Sequence, residues 1–115
     1  MEILERAKEL LPDVRNYLNI TWMDEAGDEK LTGIIARGIA FVERLSSREL
    51  GFEEGTAERE LLLEYCCYAR SGALGEFADN YRELIINFQH DEAVKEYAIE
   101  TTGERRGKAT RDPDI

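Results

Sequence analysis

Few residues of the kinds that bind metals are present. The 115-residue chain contains one histidine, His90, and two cysteines, Cys66 and Cys67, which are adjacent. Zinc sites draw most of their ligands from histidine and cysteine at suitable spacings, which a single histidine does not supply. On a helix, neighbouring side chains point about 100° apart, so the two cysteines do not readily face one ion. The sequence predicts no metal site.

Motifs that carry catalysis or cofactor binding are also missing. There is no glycine-rich phosphate loop and no nucleophile elbow. Because the chain contains 25 acidic residues, two carboxylates close in sequence are not evidence of acid–base chemistry. Adjacent cysteines can scarcely bridge each other, which excludes a disulfide scaffold and fits a reducing compartment. We predict a protein that is not an enzyme, with no catalytic and no cofactor-binding residues.

Long apolar runs are absent as well. No segment reaches the roughly 18 apolar residues that span a bilayer. The N-terminus, from Met1 to Arg6, does not resemble a secretion signal, because acidic charges interrupt its apolar positions. We therefore expect a protein that remains in the cytoplasm and does not enter a membrane.

The chain lacks the excess of basic residues that nucleic-acid binding requires. Its formal net charge is −10. Acidic and basic residues balance in residues 100–115, so the whole negative charge lies in residues 1–99. Since affinity for phosphates depends on clustered lysine and arginine, we expect no sequence-specific nucleic-acid binding. A position beside DNA that must not adhere remains compatible with this charge.

Apolar residues at helical spacing fill most of the chain, and no strand pattern occurs. Hydrophobic residues make up 43% of the sequence, enough for one folded domain of this length. The two prolines lie near the ends and leave the middle free for long helices. We predict an all-α fold, a compact bundle of about four to five helices over residues 1–99, followed by a flexible charged tail over residues 100–115.

The clearest predicted helix runs from about residue 29 to residue 45, with Asp28 as its N-cap. Seven residues form its apolar stripe: Leu31, Ile34, Ile35, Gly38, Ile39, Val42 and Leu45. We expect Pro12 to interrupt an earlier helix or to begin a new one.

A third predicted helix, capped by Thr56, is apolar on nearly every face over residues 61–69. In so small a domain this helix is expected to be either central or covered partly by other chains. A fourth predicted helix carries the stripe of Phe77, Tyr81, Leu84, Ile85 and Phe88. Residues 89–91 are expected to interrupt the helix before a last stretch that ends near Ile99.

Small residues form a strip on the back of the helix predicted for residues 29–45. They are Gly33, Ala36 and Ala40. The simpler interpretation is that alanine favours helix. The alternative is a close approach by a helix of another subunit, which makes the strip a candidate subunit interface.

The order of these features resembles that of phage head–tail connector proteins. Leu11 to Thr21 is similar to the short helix, Tyr-Leu pair and polar connection that open that family's fold. The acidic loop that follows is matched by Asp24, Glu25 and Asp28. An amphipathic helix, a strongly apolar helix ending in tyrosine and a final helical segment are matched by residues 31–45, 61–68 and 77–88. The resemblance covers residues 11–90 and rests on hydrophobicity and order.

This resemblance implies a structural subunit of a ring-forming adaptor in long-tailed phages or prophages. Such a ring, of about a dozen copies, lies beneath the portal and bridges it to the next connector or to the tail. It has no cofactor, and its place is the virion, after assembly in the bacterial cytoplasm. The basic residues of the predicted tail are then candidates for docking on the portal: Arg105, Arg106, Lys108 and Arg111. The simpler interpretation is that they form a solvated terminus.

Two other functions share the acidic surface and the helical fold. One is a small acidic regulator or inhibitor that presents carboxylates to a basic, nucleic-acid-binding protein. The other is a chaperone-like or toxin-neutralising helical partner. Both would form a one-to-one complex, whereas an adaptor forms a ring.

Overall fold

The structure, a computed structural model, describes residues 2–22 and 24–108, and the side chains of these residues as far as Ala98. In this part of the chain the backbone forms five α-helices and no strand. They are α1 (Ile3–Tyr17), α2 (Glu25–Ser46), α3 (Ala57–Arg70), α4 (Leu74–Asn80) and α5 (Arg82–Lys108). The predicted all-α bundle is therefore confirmed. None of the described helices is both long and apolar enough to cross a bilayer.

Helix α2 lies at the centre of the bundle, in contact with α1, α3 and α5. Its predicted apolar stripe forms much of the core. Six of the seven stripe residues are buried, and Leu45 at its end is partly buried. The helical periodicity of this segment thus predicted the core-facing side correctly.

The start of α2 differs from the prediction. Asp24, not Asp28, is the N-cap, and its Oδ1 accepts a hydrogen bond from the Gly27 N–H at 2.8 Å. Asp28 lies instead in the first helical turn, where acidic residues favour the positive end of the helix dipole. The helix gains a turn because the earlier aspartate already satisfies a free backbone N–H.

Pro12 does not interrupt α1, contrary to the sequence prediction. The helix runs through it from Ile3 to Tyr17. Proline removes the N–H that would bond to the carbonyl of Lys8, but Lys8 and Pro12 are both exposed, so water can reach this side of the helix. Burial of Ala7 and Val14 in the core holds the helix against that local cost.

Helix α3 begins as predicted, with the Thr56 hydroxyl accepting a hydrogen bond from the Arg59 N–H at 3.3 Å. Its strongly apolar run lies inside the bundle, because α3 contacts α1, α2, α4 and α5, which agrees with the central position that was one of the two expectations. Leu61, Leu62 and Cys66 are buried, and the rest of residues 61–69 is partly buried. The chain's own helices therefore cover α3, and this helix gives no reason to expect other subunits around it.

The predicted fourth helix is divided at Tyr81, which ends α4 before α5 begins. The expected interruption at residues 89–91 is absent, because α5 continues through them. It also extends beyond Ile99 to Lys108, so residues 100–108 of the predicted tail have a helical backbone. The rest of that tail, residues 109–115, lies outside the described residues.

An aromatic cluster joins α3 and α4 to the central helix. Phe77 of α4 is almost fully buried. Its ring centroid lies between 5.3 and 5.9 Å from those of Phe41, Tyr65, Tyr68 and Tyr81. Aromatic pairs at these separations add to the stability gained from burying their area. The short helix α4 is thereby held against the bundle, and it sets the direction in which α5 leaves.

Candidate functional site

The titratable side chains of the described residues do not assemble a metal site. No group of three or more histidine, cysteine, aspartate or glutamate side chains in this part of the chain is placed to hold an ion. His90 lies exposed on α5. Cys66 is buried, and burial raises the pKa of its thiol to about 12, whereas Cys67 is partly exposed. A buried, protonated thiol is a packing residue in this setting.

Two tyrosines surround the carboxylate of Glu64. The Tyr17 hydroxyl donates a hydrogen bond to Glu64, and that bond, with burial, raises the pKa of Tyr17. Burial and the neighbouring Glu64 carboxylate raise the pKa of Tyr81 to about 12. Both phenols therefore stay protonated, and Tyr17 donates to Glu64. Their arrangement ties α1 and the α4–α5 junction to α3, which is a structural task.

A buried carboxylate on α5, that of Glu92, also has a structural role. Glu92 accepts a hydrogen bond from Arg48 Nε at 2.7 Å and another from Lys95 Nζ at 3.2 Å. Burial by itself raises the pKa of Glu92, but these two cationic donors outweigh it and hold the pKa below its usual value. The group is therefore ionised and paired at neutral pH. It anchors α5 to the segment that follows α2.

An exposed apolar surface runs along the side of α5 that is opposite to Glu92. The exposed fractions are 55% for Ile86, 52% for Val94 and 70% for Tyr97. His90 and Ala93 lie between them and are also exposed. At these spacings the five residues share one face of the helix, and we call them the α5 stripe. No described part of the chain covers it.

The two faces of α5 explain why the sequence prediction missed this surface. Phe88 and Glu92 are buried against the bundle, with Leu84 and Ile85 partly buried beside them. The predicted apolar stripe followed this inner face alone. The signal for the outer face was nevertheless present, because Ile86, Val94 and Tyr97 fall outside that stripe at helical spacing. Apolar residues on two faces of one helix indicate two contact partners.

A second surface feature lies between α2 and α3. It is a groove of about 620 Å³. Leu31, Ile34 and Ala69 form its inner wall, being buried or partly buried, while Lys30 and Arg70 are exposed at its rim. Neither cation forms an ion pair with a side chain of residues 2–22 or 24–98. We call this feature the α2–α3 groove.

The residues predicted as candidate sites belong neither to the α5 stripe nor to the α2–α3 groove. Ala36 is buried in the subunit's own core, and Gly33 and Ala40 beside it are partly buried. The strip thus offers only its two flanking members to a partner, and the interface there stays a prediction. In the predicted docking tail, Arg105, Arg106 and Lys108 belong to the last turns of α5, and Arg111 lies outside the described residues.

Comparison of the chain with protein-family models, with curated proteins and with solved structures finds no match.

Proposed function

We propose that the protein is a structural subunit of a phage or prophage head–tail connector ring. In this role it bridges the portal to the next connector or to the tail, and it lines the channel through which DNA leaves the head. The observation that carries the proposal is the α5 stripe, which places three large exposed apolar side chains on one face of a single helix. The order of features along the sequence, which resembles that of the connector family, supports the same role.

The α5 stripe supports an assembled state on energetic grounds. Burying a large apolar side chain is worth about 1.5–3 kcal/mol relative to leaving it exposed. Ile86, Val94 and Tyr97 each expose more than half of their surface and lie on one helix face. Contiguous apolar surface of this kind marks interaction sites in proteins that otherwise bury their apolar residues. A ring subunit needs such a surface, whereas an isolated monomer gains nothing from it.

The charge of the body supports a place beside DNA. The net charge of −10 lies within residues 1–99. Many of its carboxylates are exposed, among them Glu53, Glu54 and Glu60. An acidic channel wall repels the phosphate backbone, so DNA can slide along it without adhering. The negative charge would then be a functional property of the ring.

The basic end of α5 is the part we assign to the portal. Arg105, Arg106 and Lys108 follow the stripe along the same helix. Arg111 follows three residues after Lys108, so four basic residues lie within a short segment of the sequence. Clustered cations at the end of a helix suit an acidic patch on a larger partner. One helix would thus contribute to contacts between subunits and to contact with the portal.

The oligomeric state of the purified protein tests the proposal. Sedimentation velocity and native mass spectrometry should give one large closed oligomer, alone or after addition of the portal protein encoded in the same genome. Electron microscopy of that complex should reveal a ring coaxial with the portal. A protein that stays monomeric with the portal, and that binds one basic protein in a one-to-one complex, would instead be the acidic regulator.

A further inference from the structure

The α5 stripe and the α2–α3 groove are complementary in charge. The α2–α3 groove has cations at its rim, Lys30 and Arg70, in a chain whose net charge is strongly negative. Near the α5 stripe the exposed charged residues include Glu83 at its start and Glu96 at its edge. Arg82 also lies at its start, but this cation is paired with Asp79 at 3.2 Å. An apolar helix face bordered by carboxylates matches an apolar groove bordered by cations.

A subunit cannot bring these two surfaces together by itself. Its α5 contacts α2 and α3 through the inner face that carries Phe88 and Glu92. The stripe occupies the opposite face and points away from the bundle, and hence away from the groove. Any partner that joins stripe to groove must therefore be a separate molecule.

We propose that the α5 stripe of one subunit docks in the α2–α3 groove of the next subunit. The inference rests on the proposed function, in that the occupant of the groove is a second copy of this chain. Ile86, Val94 and Tyr97 would enter the groove above its inner wall, which is already largely buried, so the apolar area removed from water would be mainly that of the stripe. Glu83 and Glu96 would lie beside the cations of the rim.

The groove has room for side chains of the stripe. Ile86 and Tyr97 are separated along the helix by about 16 Å, at 1.5 Å per residue. A groove of about 620 Å³ is large enough for several side chains. Helix-in-groove contacts use anchors at the spacings that the stripe provides.

The symmetry of the contact follows from its two unlike surfaces. Because stripe and groove are different patches, each subunit has one donor surface and one acceptor surface. Repetition of such a heterologous contact generates a ring when the rotation between neighbours closes. A contact between two stripes would be self-complementary and would end at a dimer.

Charge exchange between the two surfaces provides the test. Glu96→Lys and Lys30→Glu each place like charges at the contact, so each variant alone should assemble at least about tenfold more weakly than the wild type. In an equimolar mixture, opposite charges meet again at every contact of a ring in which the variants alternate. The mixture should therefore recover assembly in native mass spectrometry, with both variants in equal number.

Glu54→Lys, a charge reversal at a loop side chain that is 92% exposed, is the control and should assemble normally.

Other results separate failure of this contact from failure of the ring. Rings that persist in both single variants, or a mixture that recovers nothing, would overturn the contact and leave the connector role intact. Tyr97→Asp changes an exposed residue, so its fold should be unaffected and its assembly lost. If Tyr97→Asp abolishes assembly and Lys30→Glu does not, the stripe contacts a surface other than the groove. A wild-type protein that never assembles, even with the portal, would remove both proposals.

Discussion

Arg6 and Glu43 form a two-point ion pair that joins α1 to α2. Arg6 Nη1 donates to Glu43 Oε1 at 3.2 Å, and Nη2 donates both to Glu43 Oε2 and to the Leu50 carbonyl, the latter at 2.8 Å. Glu43 Oε2 also accepts the Leu50 N–H at 2.8 Å. The exposed fractions of the two side chains are only 13% and 17%. One pair thus fixes two helices and the segment that follows α2.

Replacing Glu43 with alanine should destabilise the fold by about 2–3 kcal/mol, because it leaves a largely buried guanidinium and the Leu50 N–H without their acceptor. Glu49→Ala is the matched control. Glu49 also approaches Arg6, at 3.6 Å, but its side chain is 64% exposed. That substitution should change stability by less than about 0.5 kcal/mol. Urea denaturation followed by circular dichroism measures both, and equal effects would contradict the assigned role of Glu43.

Gly38 and Gly33 lie on the same helix but should respond oppositely to alanine. A Cβ at Gly38 would lie 2.7 Å from Leu62 Cδ1 and 2.9 Å from Tyr65 Cδ1, whereas one at Gly33 would meet only Arg37 Nη1, at 3.7 Å. Gly38→Ala should therefore separate α2 from α3 and cost about 1–3 kcal/mol. Gly33→Ala should be neutral or stabilise by up to about 1 kcal/mol, because alanine favours helix.

Thermal unfolding of both glycine variants checks this pair. A Gly38→Ala protein as stable as the Gly33→Ala protein would mean that α2 and α3 are not in close contact at this point. The two variants also bear on the strip predicted as a subunit interface. If a helix of another subunit approaches closely at Gly33, the Gly33→Ala protein should fold normally and assemble more weakly.

The sequence predicted the central part of the fold because periodicity and burial agree there. The stripe of α2 and the Thr56 cap are local signals that the tertiary structure does not oppose. The effect of Pro12 was predicted wrongly. The hydrogen bond that proline removes can be foreseen from the local sequence, whereas the burial of Ala7 and Val14 that offsets this loss depends on the tertiary structure. The choice between Asp24 and Asp28 as N-cap depends on the geometry of a single N–H, which composition does not reveal.

The α5 stripe was missed for a different reason. Both faces of α5 carry apolar residues, so periodicity alone does not determine which face packs on the bundle. The direction in which the chain leaves α4 at Tyr81 makes that choice, and it depends on the aromatic cluster around Phe77. The same lack of tertiary information left open whether α3 is central or is covered partly by other chains.

The stability of the protein should fall in acid partly through Glu92. The pKa of Glu92 lies below its usual value in the folded state, so the unfolded chain binds this proton more readily. The stabilisation is complete above the unfolded pKa of about 4.3 and is lost as the pH falls through the lower, folded pKa. Glu92→Gln should therefore be less stable than the wild type by about 1 kcal/mol at neutral pH.

Urea titrations at neutral and acidic pH measure this effect. The difference between the wild type and Glu92→Gln should shrink as the pH falls below about 4. Glu76→Gln, at an exposed position of α4, serves as the control and should show little difference at either pH. If the difference in the free energy of unfolding between the wild type and Glu92→Gln grows in acid, Glu92 is not ionised and paired in the folded protein.

The adjacent cysteines should differ sharply in reactivity. Cys66 is fully buried, and burial raises its thiol pKa to about 12, while Cys67 is partly exposed. At mildly alkaline pH a thiol reagent such as Ellman's reagent should label one group per folded chain, and both groups after unfolding. In the folded state, Cys67→Ala should abolish rapid labelling and Cys66→Ala should leave it intact. Equal rates for both thiols would mean that α3 presents a different face to the core.

Reversing the charges at the end of α5 should separate docking on the portal from formation of the ring. Arg105→Glu together with Arg106→Glu changes the charge beyond the α5 stripe, so the ring should form with the same mass as the wild type. Its affinity for the portal should fall, and the salt dependence of the remaining binding should weaken, because oppositely charged contacts are lost. Lys8→Glu with Arg37→Glu changes the net charge equally, at exposed positions of α1 and α2, and should bind the portal normally. Equal loss of portal binding in the two double variants would mean that the net charge of the subunit, and not the end of α5, governs docking.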